Sequence, residues 1–287
     1  MRIFITGGTG YLGGALLRGA TARGWPVAAS YHTQLPTMGD GALWTGLDVR
    51  DAGAVAASFA AFQPDLVVHT AYRLREPELM AVTGEGAGVV ARAAQAAGAR
   101  LIHLSSDALF DGEQTGAYSE SDPPSPITPY GAAKARAETL VAEACPQATL
   151  VRTSLIYGFA PLDSHTCFVL EIADGSRNDQ LFTDEYRCPI FVDDLATALL
   201  ELALSDFSGL INIAGADRLS RYEFGVLLAH HWGRDPQRLR SGLSSESALR
   251  RPRNCVLNIE LARSLLSTAL RGVSEVLAAH RNDTVSR

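Results

Sequence analysis

The sequence has no apolar run that approaches the ~20 residues of a membrane-spanning helix. Its first residues, MRIFITGGTG, lack the apolar segment and the cleavage site of a signal peptide. We therefore expect a cytoplasmic protein without a membrane partner. The formal net charge is −6, and no basic cluster is longer than Arg250-Arg251. This charge balance argues against a nucleic-acid-binding surface.

Cysteine is also scarce. The four cysteines are scattered without the spacing of metal ligands: Cys145, Cys167, Cys188 and Cys255. We expect reduced, structural cysteines and no metal site. Hydrophobic residues make up 47% and charged residues 20% of the 287 positions, as in ordinary globular proteins. This length suits one large α/β domain, or one domain with a smaller appendage.

Lysine is nearly absent. Lysine and arginine together number 25, and Lys134 is the single lysine. A chain that uses arginine for its other cations has kept one compact, strongly hydrated ammonium. Such a group can hydrogen-bond a ribose and lie beside a phenol.

Tyr130 precedes Lys134 by four residues in TPYGAAKARAETL, which predicts a helix through Ala142 with Pro129 in its first turn. Side chains at i and i+4 lie on one face of a helix. A nearby cation lowers the pKa of a phenol, which can then exchange a proton with a carbonyl or hydroxyl group. The same spacing also occurs in ordinary surface pairs, so the motif needs support from the rest of the chain.

A glycine-rich loop opens the chain. A β-prone run from Arg2 to Thr6 leads into GGTGYLG, and a helical pattern follows to Arg23. Strand, glycine loop and helix form the context in which backbone N–H groups and a helix dipole bind a pyrophosphate. We expect a dinucleotide to contact five residues of this loop: Gly7, Gly10, Tyr11, Leu12 and Gly13.

The second predicted strand, 26–32, indicates the cofactor. NAD-selective sites usually carry an acidic residue at its end, whereas here Ser30, Tyr31 and His32 stand in that place. Without a carboxylate to repel a 2′-phosphate, NADP is favoured and NAD is the alternative. After a third strand, Asp48 and Val49 are placed to meet the adenine. Asp51 is predicted to cap the next helix.

Further strands are predicted at 64–71, 100–104 and 149–154, with a long helix at 78–97. Alternation of strands and helices predicts a doubly wound parallel (Rossmann) sheet. Ligands bind such sheets at the carboxyl ends of the strands. Candidate cofactor contacts at those ends are Thr70, Ala71, Tyr72 and Ser105.

The pattern becomes irregular near residue 158. We predict a dinucleotide-binding domain over 1–157 and a smaller, mainly substrate-binding lobe over 158–287 that interleaves with the sheet. The expected lobe elements are a helix at 192–204, a strand at 210–213, and helices near 221–232, 258–267 and 272–281.

Six segments, in order, carry a resemblance to a known family: TGGTGYLG (6–13), SSDALFDG (105–112), YGAAKARAE (130–138), VRTSLIYG (151–158), DEYRCPIFVDDLA (184–196) and RPRNCVLN (251–258). The chain resembles the extended short-chain dehydrogenases/reductases. Within them it is most similar to the dTDP-4-dehydrorhamnose reductase branch.

The resemblance implies a catalytic triad of Ser106, Tyr130 and Lys134, with Ser105 as the second choice for the hydroxyl. Ser106 would bind the substrate carbonyl and Tyr130 would act as the acid. Lys134 would hold the nicotinamide ribose and lower the Tyr130 pKa, so Tyr130 and Lys134 also count as cofactor contacts. Asp107 would help bind the sugar.

Arginines in the second half of the chain are candidates for the nucleotide diphosphate of a substrate. Arg187 and Arg251 are the leading candidates, and Arg253 is a third. Ordinary solvated surface arginines remain the alternative. Asp193 and Asp194 are interpreted first as a helix N-cap pair and second as substrate ligands.

Two positions depart from the family pattern. Ala81 stands where the family often has an asparagine, so a proton relay through that residue would need water or another group. His69 stands where the branch usually has asparagine, and we interpret it as a buried, hydrogen-bonded strand-end residue rather than a catalyst.

We therefore predict an NAD(P)H-dependent reductase acting on the keto group of a nucleotide-linked deoxysugar. One alternative is a sugar-nucleotide epimerase or dehydratase that retains and recycles NAD, which the position of Asp107 leaves open. Another is a cofactor-binding regulatory subunit of the same fold. A homodimer is left open.

Overall fold

A seven-stranded sheet forms the centre of the computed structural model, which describes residues 1–33, 35–36 and 41–280. Its strands are β1 (Ile3–Thr6), β2 (Val27–Tyr31), β3 (Leu43–Gly46), β4 (Leu66–His69), β5 (Arg100–Leu104), β6 (Thr149–Arg152) and β11 (Gly209–Asn212). They lie in the order β11-β6-β5-β4-β1-β2-β3, and each neighbouring pair is parallel. The predicted doubly wound parallel sheet is confirmed.

Six helices cover the two faces of the sheet: α1 (Tyr11–Ala22), α6 (Val192–Leu202) and α8 (Glu260–Leu265) on one, and α2 (Ala52–Phe62), α3 (Gly86–Ala96) and α4 (Pro129–Ala144) on the other. Three further helices, α5 (Ser164–Ala173), α7 (Arg221–His231) and α9 (Val273–Ala279), share a separate core. Alternate side chains of β1 point to opposite faces. Ile3 and Ile5 join the core under α1 and α6, while Phe4 joins the core under α2, α3 and α4.

The strand expected at 210–213 is observed at 209–212, and it lies in the main sheet. It pairs with β6, with Ile211 beside Val151, and completes one edge of the main sheet. Helix α6 also packs against α1 on the sheet. The sequence of a short apolar strand indicates that it is a strand, but not which strand it pairs with. Sequence alone therefore could not pair β11 with β6, which lies 60 residues earlier in the chain.

The predicted helix at 78–97 begins as a π-helix, Met80–Glu85, and continues as α3. The Gly86 N–H donates to the carbonyl oxygen of Ala81, five residues earlier. A β-carbon on Gly86 would come within 2.9 Å of the Val49 side chain. The wide turn thus lies directly against the segment that follows β3.

Two helix caps give opposite outcomes. Asp51 caps α2 as predicted, because its side chain accepts a hydrogen bond from the Ala54 N–H. The interpretation of Asp193 and Asp194 as an N-cap pair is wrong, because α6 begins after Phe191 and both aspartates lie in its first turn. There their negative charges interact favourably with the helix dipole. Arg271 also donates two hydrogen bonds to the Asp194 carboxylate, from Nε at 3.0 Å and from Nη2 at 2.6 Å.

Much of the chain from residue 156 onward builds a smaller unit around its own apolar core, which contains side chains from α5, α7 and α9, whereas Ala262 of α8 belongs to the core of the main sheet. Its strands form three two-stranded sheets: β7 (Ile156–Tyr157) with β10 (Ile190–Phe191), β9 (Tyr186–Arg187) with β12 (Leu219–Ser220), and β8 (Gln180–Phe182) with β13 (Arg240–Gly242). Residues 281–287 of the predicted lobe lie outside the described residues. Within the described ranges, no helix is both long and apolar enough to cross a bilayer.

Candidate active site

The glycine loop forms a close-packed cradle between β1 and α1. Gly7 has φ of +73°, which favours glycine, and a β-carbon there would come within 2.9 Å of the Ala71 backbone. A β-carbon on Gly13 would overlap the carbonyl oxygen of Gly7. Helix α1 begins directly after Gly10, so its first N–H groups face the loop as a pyrophosphate site requires.

One cleft brings together nine of the predicted cofactor contacts. They are Gly7, Gly10, Tyr31, His32, Asp48, Val49, Thr70, Ala71 and Tyr72. Gly13 and Leu12 lie behind the cleft at the start of α1, and Leu12 is buried in the core. The Tyr11 hydroxyl donates to the carbonyl oxygen of Pro161 at 3.0 Å. The residues present therefore fit a bound dinucleotide.

At the β2 and β3 end of the cleft, the Asp48 carboxylate is paired. Arg50 donates to it from Nε at 2.9 Å and from Nη2 at 2.6 Å, and the His32 Nε2 lies 3.7 Å away. The hydrogen bonds from Arg50 lower the pKa of Asp48 to about 2. The negative charge of Asp48, which lines the cleft, is thus paired with the positive charge of Arg50.

Helix α4 places Tyr130 beside the turn that carries Ser106. Pro129 lies in the first turn of α4, as predicted, and the Thr128 side chain caps the helix. A β-carbon on Gly131 would overlap the carbonyl oxygen of Ala108, so glycine permits this close approach. Ser106 itself accepts a hydrogen bond from the Ala108 N–H at 3.2 Å.

The pKa of Tyr130 is raised, mainly by burial, with added contributions from Tyr72 and Asp107. A hydrogen bond with the Ser106 hydroxyl acts in the opposite direction, which favours Ser106 over Ser105 as the neighbour of the phenol. The expectation that Lys134 lowers this pKa is wrong for the described protein groups. Burial is the largest cause of the rise, and Lys134 is not among the described groups that change this pKa.

Lys134 is only 4% exposed. Its Nζ donates to the carbonyl oxygen of Leu104 at 2.7 Å, and it lies 5.9 Å from the ring centre of Tyr130 and 5.6 Å from that of Tyr72. Burial lowers the pKa of Lys134 to about 8, and Glu138 opposes that change. The ammonium thus lies between two phenols at the end of β5.

Asp107 is buried beside Ser106 and tied to the rest of the chain. Ser154 donates to its carboxylate at 2.6 Å, the Ser106 hydroxyl lies 3.3 Å from it, and Arg187 approaches to 3.7 Å. Burial raises the pKa of Asp107, although Arg187 and Ser154 oppose the rise. This carboxyl group is held in place by internal partners.

The predicted substrate arginines differ in their surroundings. Arg187 is buried and donates to the backbone oxygens of Tyr186 and Pro252, at 2.7 and 3.1 Å. Arg251 is more exposed and pairs with Glu185 at 3.3 Å. Arg253 lies on the surface, paired with Glu113 at 2.7 Å.

Sequence reasoning missed Arg221, the first residue of α7, which lies near this arginine group. Its Nη2 is 3.4 Å from His165 Nδ1, and its backbone N–H donates to the Glu185 carbonyl oxygen. The capping box of Ser220 and Glu223 fixes the start of α7. The capping box can be recognised in the sequence, but the sequence does not show that Arg221 lies beside Glu185.

His69 is buried at the end of β4, as interpreted. Its Nδ1 lies 2.6 Å from the Thr6 hydroxyl. Burial and the charge of Lys134 lower the pKa of His69 to about 3, so the ring is neutral at physiological pH.

A family model described as the RmlD substrate binding domain matches residues 1–284. The chain belongs to this family. The predicted membership of the extended short-chain dehydrogenases/reductases, near the dTDP-4-dehydrorhamnose reductases, is thereby confirmed, as is the prediction of an oxidoreductase of that type.

Several relatives of this RmlD-family chain cover nearly all of it. The dTDP-4-dehydrorhamnose reductase of Mycobacterium tuberculosis is 30% identical over 99% of this chain and 94% of its own. A protein of Haloferax volcanii named "Probable low-salt glycan biosynthesis reductase" is 29% identical over 97% of both chains. The beta subunit of methionine adenosyltransferase 2 from Bos taurus is 27% identical, over 92% of this chain and 82% of its own.

The fold of this RmlD-family chain also matches a crystal structure of a hypothetical dTDP-4-dehydrorhamnose reductase from Sulfolobus tokodaii. The TM-score is 0.82 and the identity 26%, over 95% of this chain and 97% of that one.

Proposed function

We propose that this RmlD-family chain uses NADPH to reduce the keto group of a nucleotide-linked deoxysugar. The observation that carries the proposal is the gathering of Tyr130, Ser106 and Lys134 at the carboxyl end of β5. The cleft beside them fits a dinucleotide. Phenol, hydroxyl and ammonium at that place are the groups that a carbonyl reduction needs.

When bound, the reduced nicotinamide supplies hydride to the carbonyl carbon. Ser106 donates a hydrogen bond to the carbonyl oxygen. Tyr130 is protonated, because its pKa is raised, and it gives its proton to that oxygen as negative charge develops there. One N–H of the Lys134 ammonium donates to the carbonyl oxygen of Leu104. Its other two N–H groups can donate to a ribose hydroxyl and to the Tyr130 phenolate.

The cofactor preference follows from charge. No acidic side chain occurs among residues 26–33, and the Asp48 carboxylate is paired with Arg50. A 2′-phosphate at this end of the cleft therefore meets no unpaired carboxylate from these segments. This supports NADP, with NAD as the alternative.

We assign substrate binding mainly to residues 158–287. Arg251 and Arg221 are the candidates for the diphosphate, because both lie near Glu185 and keep N–H groups that their described partners do not use. Arg187 serves a different purpose in this proposal. It holds Asp107 in place beside Ser106, where the carboxyl group can contact the sugar.

Two other functions compete. An epimerase or dehydratase would retain NAD and recycle it, and Asp107 beside Ser106 would be its added acid. A regulatory subunit is the second, since one relative is a subunit of methionine adenosyltransferase 2. This chain retains both Tyr130 and Lys134, which favours catalysis.

The test begins with the purified protein. Any nucleotide that co-purifies is released and identified, and NADPH and NADH are then titrated into the emptied protein. NADPH oxidation is next measured with dTDP-, UDP- and GDP-linked 4-keto-6-deoxy sugars. Reversible NADPH binding with oxidation by one of these sugars supports the proposal. Tightly retained NAD that does not exchange indicates an epimerase or dehydratase, and binding without turnover indicates a regulatory subunit.

A further inference from the structure

Two histidines are buried side by side next to Lys134. His69 ends β4, His103 lies in β5, and the two residues are paired in register. Side chains paired in this way on neighbouring parallel strands share a face of the sheet. The ring centres are 5.2 Å apart, and each residue is only 1% exposed. The proposed function gives neither histidine a role.

Most of their ring nitrogens lack a protein partner. His69 Nδ1 is satisfied by the Thr6 hydroxyl at 2.6 Å. Among the described residues, His69 Nε2, both nitrogens of His103 and the Ser105 hydroxyl have no hydrogen-bond partner. Buried polar atoms are almost always satisfied, by protein or by ordered water. An apolar side chain would fill the His103 position at lower cost if packing were its purpose.

The pair adjoins the catalytic lysine. The carbonyl oxygen that Lys134 binds belongs to Leu104, the residue after His103, and the charge of Lys134 contributes to lowering the pKa of both histidines. Both rings are therefore neutral, and each has one donor and one acceptor nitrogen. A neutral imidazole can pass a proton by exchanging these roles.

Each reduction leaves Tyr130 without its proton, and this half-buried phenol needs a route for the proton's return. The other titratable groups near the phenol and the ammonium are Tyr72 beside both, Asp107 near Tyr130 and Glu138 near Lys134. Asp107 and Glu138 are both buried and engaged by other partners. Ala81, in the π-helix, offers no polar side chain.

We propose that His69 and His103 hold ordered water against Lys134 and relay the proton that restores Tyr130. This inference rests on the proposed reductase function. Tyr130 loses a proton to the substrate oxygen, and Lys134 returns one to the phenolate. The amine recovers a proton from the water held by the histidines, and the water regains one from solvent. The cofactor cleft is the entry, because Thr70, next to His69, lines it. No electrons move in this relay.

The test uses His103→Leu, which breaks none of the described side-chain hydrogen bonds and removes both unpartnered nitrogens. We expect unchanged NADPH affinity and an unchanged first turnover, because Tyr130 starts protonated. Steady-state kcat should fall by about tenfold or more. His103→Gln, which keeps a donor and an acceptor, should recover part of the loss. The control is His230→Leu, an exposed histidine in the last turn of α7, which should match the wild type.

A wild-type kcat in His103→Leu at every pH would overturn the relay and leave the reductase intact. If His103→Leu fails to fold, His69→Asn takes its place, since asparagine can still bind Thr6. If the wild type reduces none of the keto sugars, the proposed function has failed and kinetics cannot test the relay. A high-resolution crystal structure then decides. Ordered water bonded to His103 and Lys134 supports the inference, and a dry compartment overturns it.

Discussion

The Asp107 carboxylate lies 3.7 Å from the Arg187 guanidinium, and both side chains are buried. Arg187 also binds two backbone oxygens and approaches Glu185 to 3.2 Å. The pair joins the turn beside Ser106 to β9 of the smaller unit. It therefore connects the group that would polarise the substrate with the segment that would hold it.

Removing the cation of this pair should be costly. Arg187→Met leaves the Asp107 carboxylate buried without its cation, so we expect the free energy of unfolding to fall by about 3–5 kcal/mol. Urea unfolding measures the change. Arg253→Met is the matched control, because it breaks the exposed pair with Glu113 and should cost less than about 1 kcal/mol. Equal losses in the two variants would contradict the structural role given to Arg187.

Tyr130→Phe removes the proposed acid and little else. The variant should fold and bind NADPH normally, while kcat falls by about 10²- to 10⁴-fold, the usual contribution of a general acid. Thermal unfolding and a cofactor titration establish that the protein is intact. Near-normal turnover in an intact variant would remove Tyr130 from the mechanism.

Lys134→Arg tests whether the single lysine is needed as a lysine. Arginine keeps the charge but cannot fit a compact ammonium site that is 4% exposed, so we expect kcat/KM to drop at least about tenfold. The reverse change on the same helix, Arg136→Lys at an exposed pair with Glu85, should have no effect. Wild-type rates in Lys134→Arg would show that charge alone suffices.

The pH dependence of the wild type follows from the same residue. Burial lowers the pKa of Lys134 to about 8, and the protonated form is the one that binds the ribose and stabilises the phenolate. The protonated fraction declines as pH rises through this value, so kcat/KM should fall above pH 8. A flat profile from pH 7 to about 9.5 would exclude this role for the ammonium.

A carboxylate at the end of β2 should reverse the cofactor preference. In Tyr31→Asp the new charge repels a 2′-phosphate and can bind ribose hydroxyls, so we expect the ratio of NADPH to NADH affinity to fall by about tenfold or more. Tyr31→Asn has nearly the same shape without the charge and should not reproduce the effect. Fluorescence titration of both cofactors gives the ratio without any substrate.

Local chemistry accounts for what the sequence predicted well. Helix α4 is specified by Thr128, Pro129 and the close-packing Gly131, which are neighbours in the chain. The Asp51 cap and the glycine loop are equally local. These signals act within one turn or one strand-loop-helix unit, so the residues that interact are close together in the sequence.

Most of what the sequence did not show concerns partners that are distant in sequence. Asp194 pairs with Arg271 instead of capping its helix, and Arg187 turns inward to Asp107. The raised pKa of Tyr130 comes mainly from burial, with contributions from Tyr72 and Asp107. The π-helix depends on a one-residue change in hydrogen bonding, which leaves the hydrophobic period almost unchanged.

The seventh strand limits how this chain can be divided. A fragment that stopped at residue 157 would lose β11 and α6, and the outer edge of β6 would be open to pairing with another molecule. The face of α1 that packs against α6 would also be uncovered. Exchange of the smaller unit between relatives should therefore leave 192–212 in place, together with α8, which packs against β11 in the core of the main sheet. The portable module is thus not one continuous piece of chain, because the scaffold's own last strand and helix interrupt it.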